Sequence, residues 1–370
     1  MPSNTVSSTR GRLPGLPLWT ILAPVFSGIV MAAAGFGLSL GGAFVAVIAS
    51  SLAASVFAAV HHAEVVAHRV GEPYGTLVLA LAVTLIEVAL IVSLMIAGGT
   101  EAAALARDTV FAAVMIILNG IIGLCLVVGG LKHSQQTFNL DAVSAALVAL
   151  AAIVILTLVF PNYTVTTPGP FYSPSQLMLI AVVSLAIYGA FVFAQTIGHR
   201  RIFVHDLAEE EAQHASQPGN AVTAASAILL LACLAAVVLL AKKLAPSLET
   251  AVSRVGAPDA VVGVIIAAIV LLPEGLAALR AARANRLQTS LNLALGSALA
   301  SIGLTIPAVS VLSLYMQTRL VLGIDTKSTV LLMLSLFITA IALRTGRTIV
   351  MHGIVLLVIF VVYLFTTVIP

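Results

Sequence analysis

Charged residues are scarce in this sequence. Only 8% of its 370 residues are Asp, Glu, Lys or Arg, whereas soluble domains carry about a quarter. Hydrophobic residues make up 61% of the chain, and no polar stretch is long enough to build a core of its own, which argues against a separate soluble domain. The composition therefore predicts an all-α polytopic membrane protein whose main partner is the lipid bilayer.

Cysteine is also scarce, and the charge balance is nearly neutral. Cys125 and Cys233 both fall inside apolar runs, which excludes a disulfide framework and a CxxC metal or redox motif. The net charge of +3 comes from loop arginines and lysines, so it reports membrane orientation and gives no support to nucleic-acid binding. No HExxH zinc motif is present, which argues against an intramembrane hydrolase.

Long apolar runs separated by charged or Pro/Gly-rich breaks predict about 11 transmembrane helices, since about 20 apolar residues cross the bilayer core as a helix. The expected spans are 18–36, 37–60, 75–97, 109–130, 142–160, 177–198, 222–241, 260–279, 290–315, 328–343 and 349–367. With a cytoplasmic N-terminus, cytoplasmic segments hold eleven of the 17 basic residues. This bias predicts a multi-pass protein of the bacterial inner membrane with its N-terminus in the cytoplasm.

The longest polar segment divides the chain near its middle. We expect a tail and an extra helix in residues 1–36, a five-helix repeat in 37–198, an acidic cytoplasmic linker in 199–221 and a second five-helix repeat in 222–370. Because five is odd, the second repeat enters the membrane from the opposite face. Such inverted repeats are typical of secondary transporters.

Two acidic residues lie well inside predicted spans. They are Glu87, in the second helix of the first repeat, and Glu274, in the second helix of the second repeat. Charged groups at that depth are costly and usually mark a functional site. Two carboxylates can bind one divalent metal cation or two protons, and oxygen ligands favour hard ions such as Ca²⁺. A permanently neutral, purely structural pair is the alternative.

Several polar or helix-breaking residues are placed where they can complete such a site. Hydroxyl and amide oxygens can coordinate a cation, and a proline frees a backbone carbonyl in a discontinuous helix. Ordinary interhelical hydrogen bonding and a simple helix kink are the alternatives. The candidate supporting residues are Thr84, Asn119, Pro273, Ser297, Ser301 and Thr305.

Two further polar segments are candidates for cytoplasmic cation entry or pH sensing. One is HHAEVVAHR, predicted to connect the second and third spans, and the other lies in the central linker. Histidine titrates near neutral pH, which suits such a role, but the spacing is not that of a catalytic zinc site. A solvated helix end and a solvated linker are the alternatives. The residues concerned are His61, His62, Glu64, His68, Glu209, Glu210 and Glu211.

Four segments resemble the bacterial ChaA-type calcium (sodium, potassium)/proton antiporters of the calcium/cation antiporter superfamily. They are VHHAEVVAHRVGEPYGTLVLALAVTLIEVALIVSLM, LLPEGLAAL, NLALGSALASIGLTIP and TGRT. The resemblance implies one extra helix followed by two inverted five-helix repeats. It also implies that Glu87 and Glu274 bind the exchanged cation and protons, with the next helix of each repeat lining the site.

The residues predict a secondary active transporter, not an enzyme, with a paired glutamate site that works by alternating access. The resemblance implies that it exchanges cytoplasmic Ca²⁺, with Na⁺ or K⁺ as further substrates, for protons. No cofactor is expected apart from the transported ions. Exchange of Na⁺ or K⁺ for protons as the main activity is the nearest alternative, and a cation channel with a carboxylate filter is another. Monomer and homo-oligomer are both compatible with the sequence.

Overall fold

Helices account for most of the residues that the computed structural model describes, which are 16–35, 42–71, 74–98, 101–198, 218–254 and 256–369. Within these ranges there are eleven long helices. They are α1 (Leu18–Gly35), α2 (Gly42–Val70), α3 (Tyr74–Gly98), α4 (Leu105–His133), α5 (Leu140–Tyr163), α6 (Pro174–Gly198), α7 (Asn220–Arg254), α8 (Ala260–Arg283), α9 (Leu287–Met316), α10 (Thr326–Leu343) and α11 (Val350–Val368).

The helices have the length and composition of membrane spans. In the described part of the chain, α2 to α11 are each long and apolar enough to cross a bilayer, and α1 carries a shorter apolar stretch. Large apolar side chains face outward, including Val148, Phe337 and Phe365 at 70%, 63% and 61% exposure. An apolar surface of this kind is compatible with surrounding lipid. In lipid, a helix forms all of its backbone hydrogen bonds within itself. The predicted all-α polytopic membrane protein is confirmed.

Two helices are longer than predicted. α2 continues to Val70, so the segment 61–69 is its last part and not a connection, and α7 runs through Lys242 and Lys243 to Arg254. The two helices pack closely against each other and both contact α1. These contacts favour continuation of the helices through their polar segments. The lysines are exposed, and their long side chains let the ammonium groups reach water.

Three helices contain a wider, π-helical turn. The π segment of α4 is Ile116–Ile121, that of α5 is Ile155–Val159, and α6 ends in Ala194–Gly198. α5 then closes with a short 3₁₀ turn, Phe160–Tyr163. Single π turns inside α-helices often occur at functional sites, and the turn in α4 contains Asn119.

The third helix of each half occupies the centre of the protein. α4 and α9 are the most buried spans in the described chain, with 78% and 67% of their apolar windows buried. α9 packs against α3, α5, α6 and α8, while α4 packs against α8 and α11. Side chains on the inner faces of α3 and α8 therefore meet α9 from two sides.

On one face of the bundle, connections from the first half bind the second half. A short strand, β1 (Gln136–Thr137), pairs antiparallel with β2 (Arg347–Thr348). Gln136 is buried, and its side-chain Nε2 donates a hydrogen bond to the Ala282 carbonyl at 2.9 Å. These contacts join the connection after α4 to the ends of α8 and α10.

The opposite face has a comparable set of contacts. The side-chain Nδ2 of Asn162 donates to the Ile324 carbonyl at 2.6 Å, and Arg107 donates to the Gly323 carbonyl at 3.2 Å. The connection between α9 and α10 is thus bound to α4 and α5. The two halves of the chain are therefore hydrogen-bonded to each other at both ends of the helix bundle.

A close helix contact gives a test of the packing. A Cβ atom added at Gly353 of α11 would lie 2.5 Å from the Gly123 carbonyl oxygen of α4, so the two backbones touch. We expect Gly353→Ala to lower the stability of the purified protein by about 1–3 kcal/mol, the usual cost of overpacking. Thermal unfolding in detergent measures this.

Gly189→Ala is the matched control, because an added Cβ on that residue of α6 meets nothing within 4 Å. Both substitutions gain the same helix propensity, so their difference isolates the steric clash. Equal unfolding temperatures for the two variants would show that α4 and α11 are not packed as described.

Candidate cation-binding site

Glu87 lies inside the protein and is bound by the other half of the chain. It sits on α3, is 5% exposed, and its Oε1 accepts a hydrogen bond from the Ser301 hydroxyl of α9. α3 and α9 pack against each other along this contact. The two residues are 214 positions apart in the chain, so the contact joins the predicted halves at the depth of the carboxylate.

Glu274 lies on α8, on another side of α9. Its Oε2 atom is buried and has no hydrogen-bond partner, and α8 packs against α9, the helix whose Ser301 binds Glu87. A buried carboxylate oxygen without a partner is costly. It is an atom that a bound proton or cation would satisfy.

The polar residues of α9 are arranged on the same side as Ser301. Thr305 lies four residues further along the helix, and side chains at this spacing share a face. Its hydroxyl is buried and makes no hydrogen bond. Ser297, four residues before Ser301, is half-buried. The predicted hydroxyl stripe is therefore present, with one member bound to Glu87.

Asn119 carries a third buried oxygen without a hydrogen-bond partner. It is completely buried in the π turn of α4. Its Nδ2 donates to the Ser335 hydroxyl of α10 at 2.9 Å and to the Met115 carbonyl at 3.3 Å, while Oδ1 has no partner. Nearby, a Cβ added at Gly275 would lie 3.2 Å from the Ile121 side chain, so the π turn of α4 packs beside the residue that follows Glu274.

The other two supporting candidates, Thr84 and Pro273, show no bond to either carboxylate among the described hydrogen bonds. The Thr84 hydroxyl donates to the Ala80 carbonyl of its own helix at 2.8 Å, so it is not bonded to Glu87. Pro273 is buried within α8, which is unbroken from Ala260 to Arg283. The discontinuous helix considered for this position is therefore absent. Proline still lacks the N–H that would bond the carbonyl four residues earlier.

The histidine segment is not one cluster. His62 is completely buried, and its Nε2 lies 3.2 Å from the Thr20 carbonyl of α1. His61 and Glu64 form a weak pair at 4.0 Å, and His68 is exposed. His62 thus contributes to the contact between α1 and α2. The acidic residues Glu209, Glu210 and Glu211 lie outside the described residues.

Sequence reasoning missed the polar contribution of α10. Ser335 and Thr339 are both completely buried, and the Thr339 hydroxyl has no partner. Both residues lie in an apolar helix, where single hydroxyls are common, so no local signal distinguishes them. Only the contact with Asn119, 216 residues away in the chain, identifies Ser335.

The site as a whole is rich in oxygen and poor in charge. The described residues contain no group of three or more His, Cys, Asp or Glu side chains placed to hold a metal ion. The candidate ligands are two carboxylates with neutral hydroxyl and amide oxygens. Such ligands suit hard cations, and two negative charges balance one divalent cation or two protons.

This all-α membrane protein, with two acidic residues inside its helix bundle, is of the class of cation transporters. More particularly, the chain belongs to the sodium/calcium exchanger protein family, which it matches over residues 25–197 and 225–369. The expected membership of the calcium/cation antiporter superfamily is confirmed.

Three comparisons show the breadth of the similarity. A Sinorhizobium fredii protein, y4hA, described as an ionic transporter, is 48% identical over 98% of this chain and 100% of its own. The Escherichia coli sodium-potassium/proton antiporter ChaA is 39% identical, covering 84% of this chain and 85% of its own. The crystal structure of the Ca²⁺/H⁺ antiporter YfkE has the same fold, with a TM-score of 0.71 and 18% identity over 96% of this chain and 100% of that one.

Proposed function

We propose that this protein exchanges cytoplasmic Ca²⁺ for protons across the bacterial inner membrane, with Glu87 and Glu274 as the shared binding site. The observation that carries the proposal is a carboxylate from each half of the chain inside the helix bundle: Glu87 is buried and bonded to α9, and the Oε2 atom of Glu274 is buried without a partner on α8, which packs against α9. A divalent cation and two protons neutralise such a pair equally. Binding of one therefore excludes the other, and exchange follows when the site opens alternately to the two sides.

The placement of polar residues along the helices supports two inverted repeats. Glu87 lies 13 residues after Tyr74 in α3, and Glu274 lies 14 residues after Ala260 in α8. Five helices precede the central linker after α1 and five follow it among the described residues. Successive helices alternate in direction, so α3 and α8 run in opposite directions and bring their carboxylates to a similar depth.

The third helices of the repeats show a similar correspondence. Asn119 lies 14 residues after Leu105 in α4, and Ser301 lies 14 residues after Leu287 in α9. Ser301 binds Glu87, and the π turn containing Asn119 packs beside Gly275. We assign Asn119 Oδ1 to the cation site next to Glu274, in the position equivalent to that of Ser301 next to Glu87.

Monovalent exchange is the second candidate. The E. coli relative is a sodium-potassium/proton antiporter, and one carboxylate is enough to balance Na⁺ or K⁺. Neutral oxygens such as those of Ser301, Thr305 and Asn119 also coordinate these ions. The pair of carboxylates favours Ca²⁺, because a divalent ion leaves no uncompensated charge in the membrane.

Reconstitution into liposomes tests the function directly. With an acidic lumen and a pH-sensitive dye inside, we expect external Ca²⁺ to raise the luminal pH at micromolar to millimolar concentrations, and Na⁺ and K⁺ to do so less effectively. Liposomes without protein provide the baseline. Cation uptake without opposite proton movement would indicate a channel and overturn the proposal, while a response to Na⁺ or K⁺ alone would establish the monovalent candidate.

A further inference from the structure

The side chain of Asn119 is bound by a residue from a helix without acidic side chains. α10 begins at Thr326, and its Ser335 places a hydroxyl oxygen 2.9 Å from Asn119 Nδ2. The Met115 carbonyl lies 3.3 Å from the same nitrogen, and the Met115 sulfur lies 3.8 Å from it. All four polar groups are inside the protein, so water does not compete for these bonds.

The hydrogen-bond pattern determines which way the amide points. An asparagine amide can present either its oxygen or its NH₂ group to a neighbour. The Ser335 hydroxyl has a single hydrogen, and the Leu331 carbonyl accepts it at 2.7 Å; the Met115 sulfur, at 3.6 Å, is a weaker alternative. The Ser335 oxygen therefore acts toward Asn119 as an acceptor, as the Met115 carbonyl does. Two acceptors on one side require the NH₂ group on that side.

This orientation of the amide places Asn119 Oδ1 on the side opposite Ser335. Oδ1 is directed away from Ser335 and Met115, is buried, and has no donor. If the amide rotated by half a turn, Oδ1 would face two acceptor oxygens and the NH₂ group would take its present place. An oxygen binds a cation, whereas an NH₂ group repels it.

We propose that Ser335 is a positioning residue that keeps Asn119 Oδ1 directed toward the transported cation. This inference rests on the proposed function, because it requires Asn119 to be a cation ligand. It assigns a role in cation affinity to α10, a helix that carries no acidic side chain. Ser335 sets the affinity through the amide and not through its own oxygen.

The test compares Ser335→Ala with Ser335→Thr in liposomes, using Ca²⁺ and Na⁺ separately. We expect Ser335→Ala to raise the half-saturating cation concentration about fivefold to tenfold, since one buried hydrogen bond is lost, with a much smaller change in maximal rate. Ser335→Thr keeps the hydroxyl, so we expect it to have the wild-type half-saturating cation concentration. Ser310→Ala is the matched control, because this buried hydroxyl bonds only the Ile306 carbonyl of its own helix.

The Asn119→Asp background separates orientation from packing. A carboxylate has two equivalent oxygens, so its rotation changes nothing, and Ser335→Ala should have no further effect on half-saturation in that background. Cation-induced increases in unfolding temperature measure affinity in any variant that does not transport. They also show whether each variant is folded.

The outcomes distinguish this inference from the proposed function. If Asn119→Ala leaves cation affinity unchanged, Asn119 is not a ligand, and the proposed site is wrong at that residue. If Asn119→Ala weakens binding but Ser335→Ala does not, only the positioning role is overturned. An equal effect of Ser335→Ala in the wild-type and Asn119→Asp backgrounds would assign Ser335 a packing role and would also overturn it.

Discussion

We expect Glu274→Gln and Glu87→Gln each to abolish proton-coupled cation exchange. Glutamine has nearly the same shape as glutamate but cannot ionise, so the site loses one of the two charges that balance the cation. The neutral amide also cannot carry the proton in the return step. Transport in reconstituted liposomes should fall below about 1% of the wild-type rate, corresponding to a loss of more than about 2.7 kcal/mol.

The fold should survive these substitutions. A glutamine side-chain oxygen at position 87 can still accept the hydrogen bond from Ser301, and neither change alters side-chain volume. Asp141→Asn is the control, because that carboxyl group is exposed at the start of α5. If both glutamine variants insert, fold and exchange at the wild-type rate, the paired-carboxylate site is excluded.

The two carboxylates were predictable because their chemistry conflicts with their surroundings. Glu87 and Glu274 are the acidic residues that lie well inside apolar runs, and burying a charge in a membrane requires a compensating function. The hydroxyl stripe of α9 was predictable from its spacing, and the structure joins its member Ser301 to Glu87. Their proposed use as ligands for a transported ion goes beyond both observations.

Other features depend on long-range packing that the sequence does not display. Ser335 is one of many hydroxyl residues in apolar helices, and only its distance from Asn119 distinguishes it. The predicted ends of α2 and α7 were placed too early, because the histidines of α2 and the lysines of α7 interrupt the apolar runs that were used to locate membrane spans. Contacts between these two helices outweigh that local preference.

A second large effect is expected from pH. Protons and the cation compete for the same carboxylates, so lowering the pH should raise the half-saturating cation concentration without changing the maximal rate at saturating cation. Once protonation dominates, each competing proton contributes about a tenfold increase per pH unit. In the proposed site Glu87 and Glu274 share one divalent cation, so both carboxyl groups must lose their protons before it binds. The increase should therefore approach about 100-fold per unit if both protons must leave.

The slope of this pH dependence also identifies the transported ion. A cation that displaces two protons gives a slope of about minus two in a plot of log half-saturation against pH, while one that displaces a single proton gives about minus one. We expect the steeper slope for Ca²⁺ and the shallower slope for Na⁺ or K⁺. The measurement uses liposomes with the same pH on both sides and radioactive cation exchange. A pH effect confined to the maximal rate would mean that protons act elsewhere in the protein, because competition at one site must appear in the half-saturating concentration.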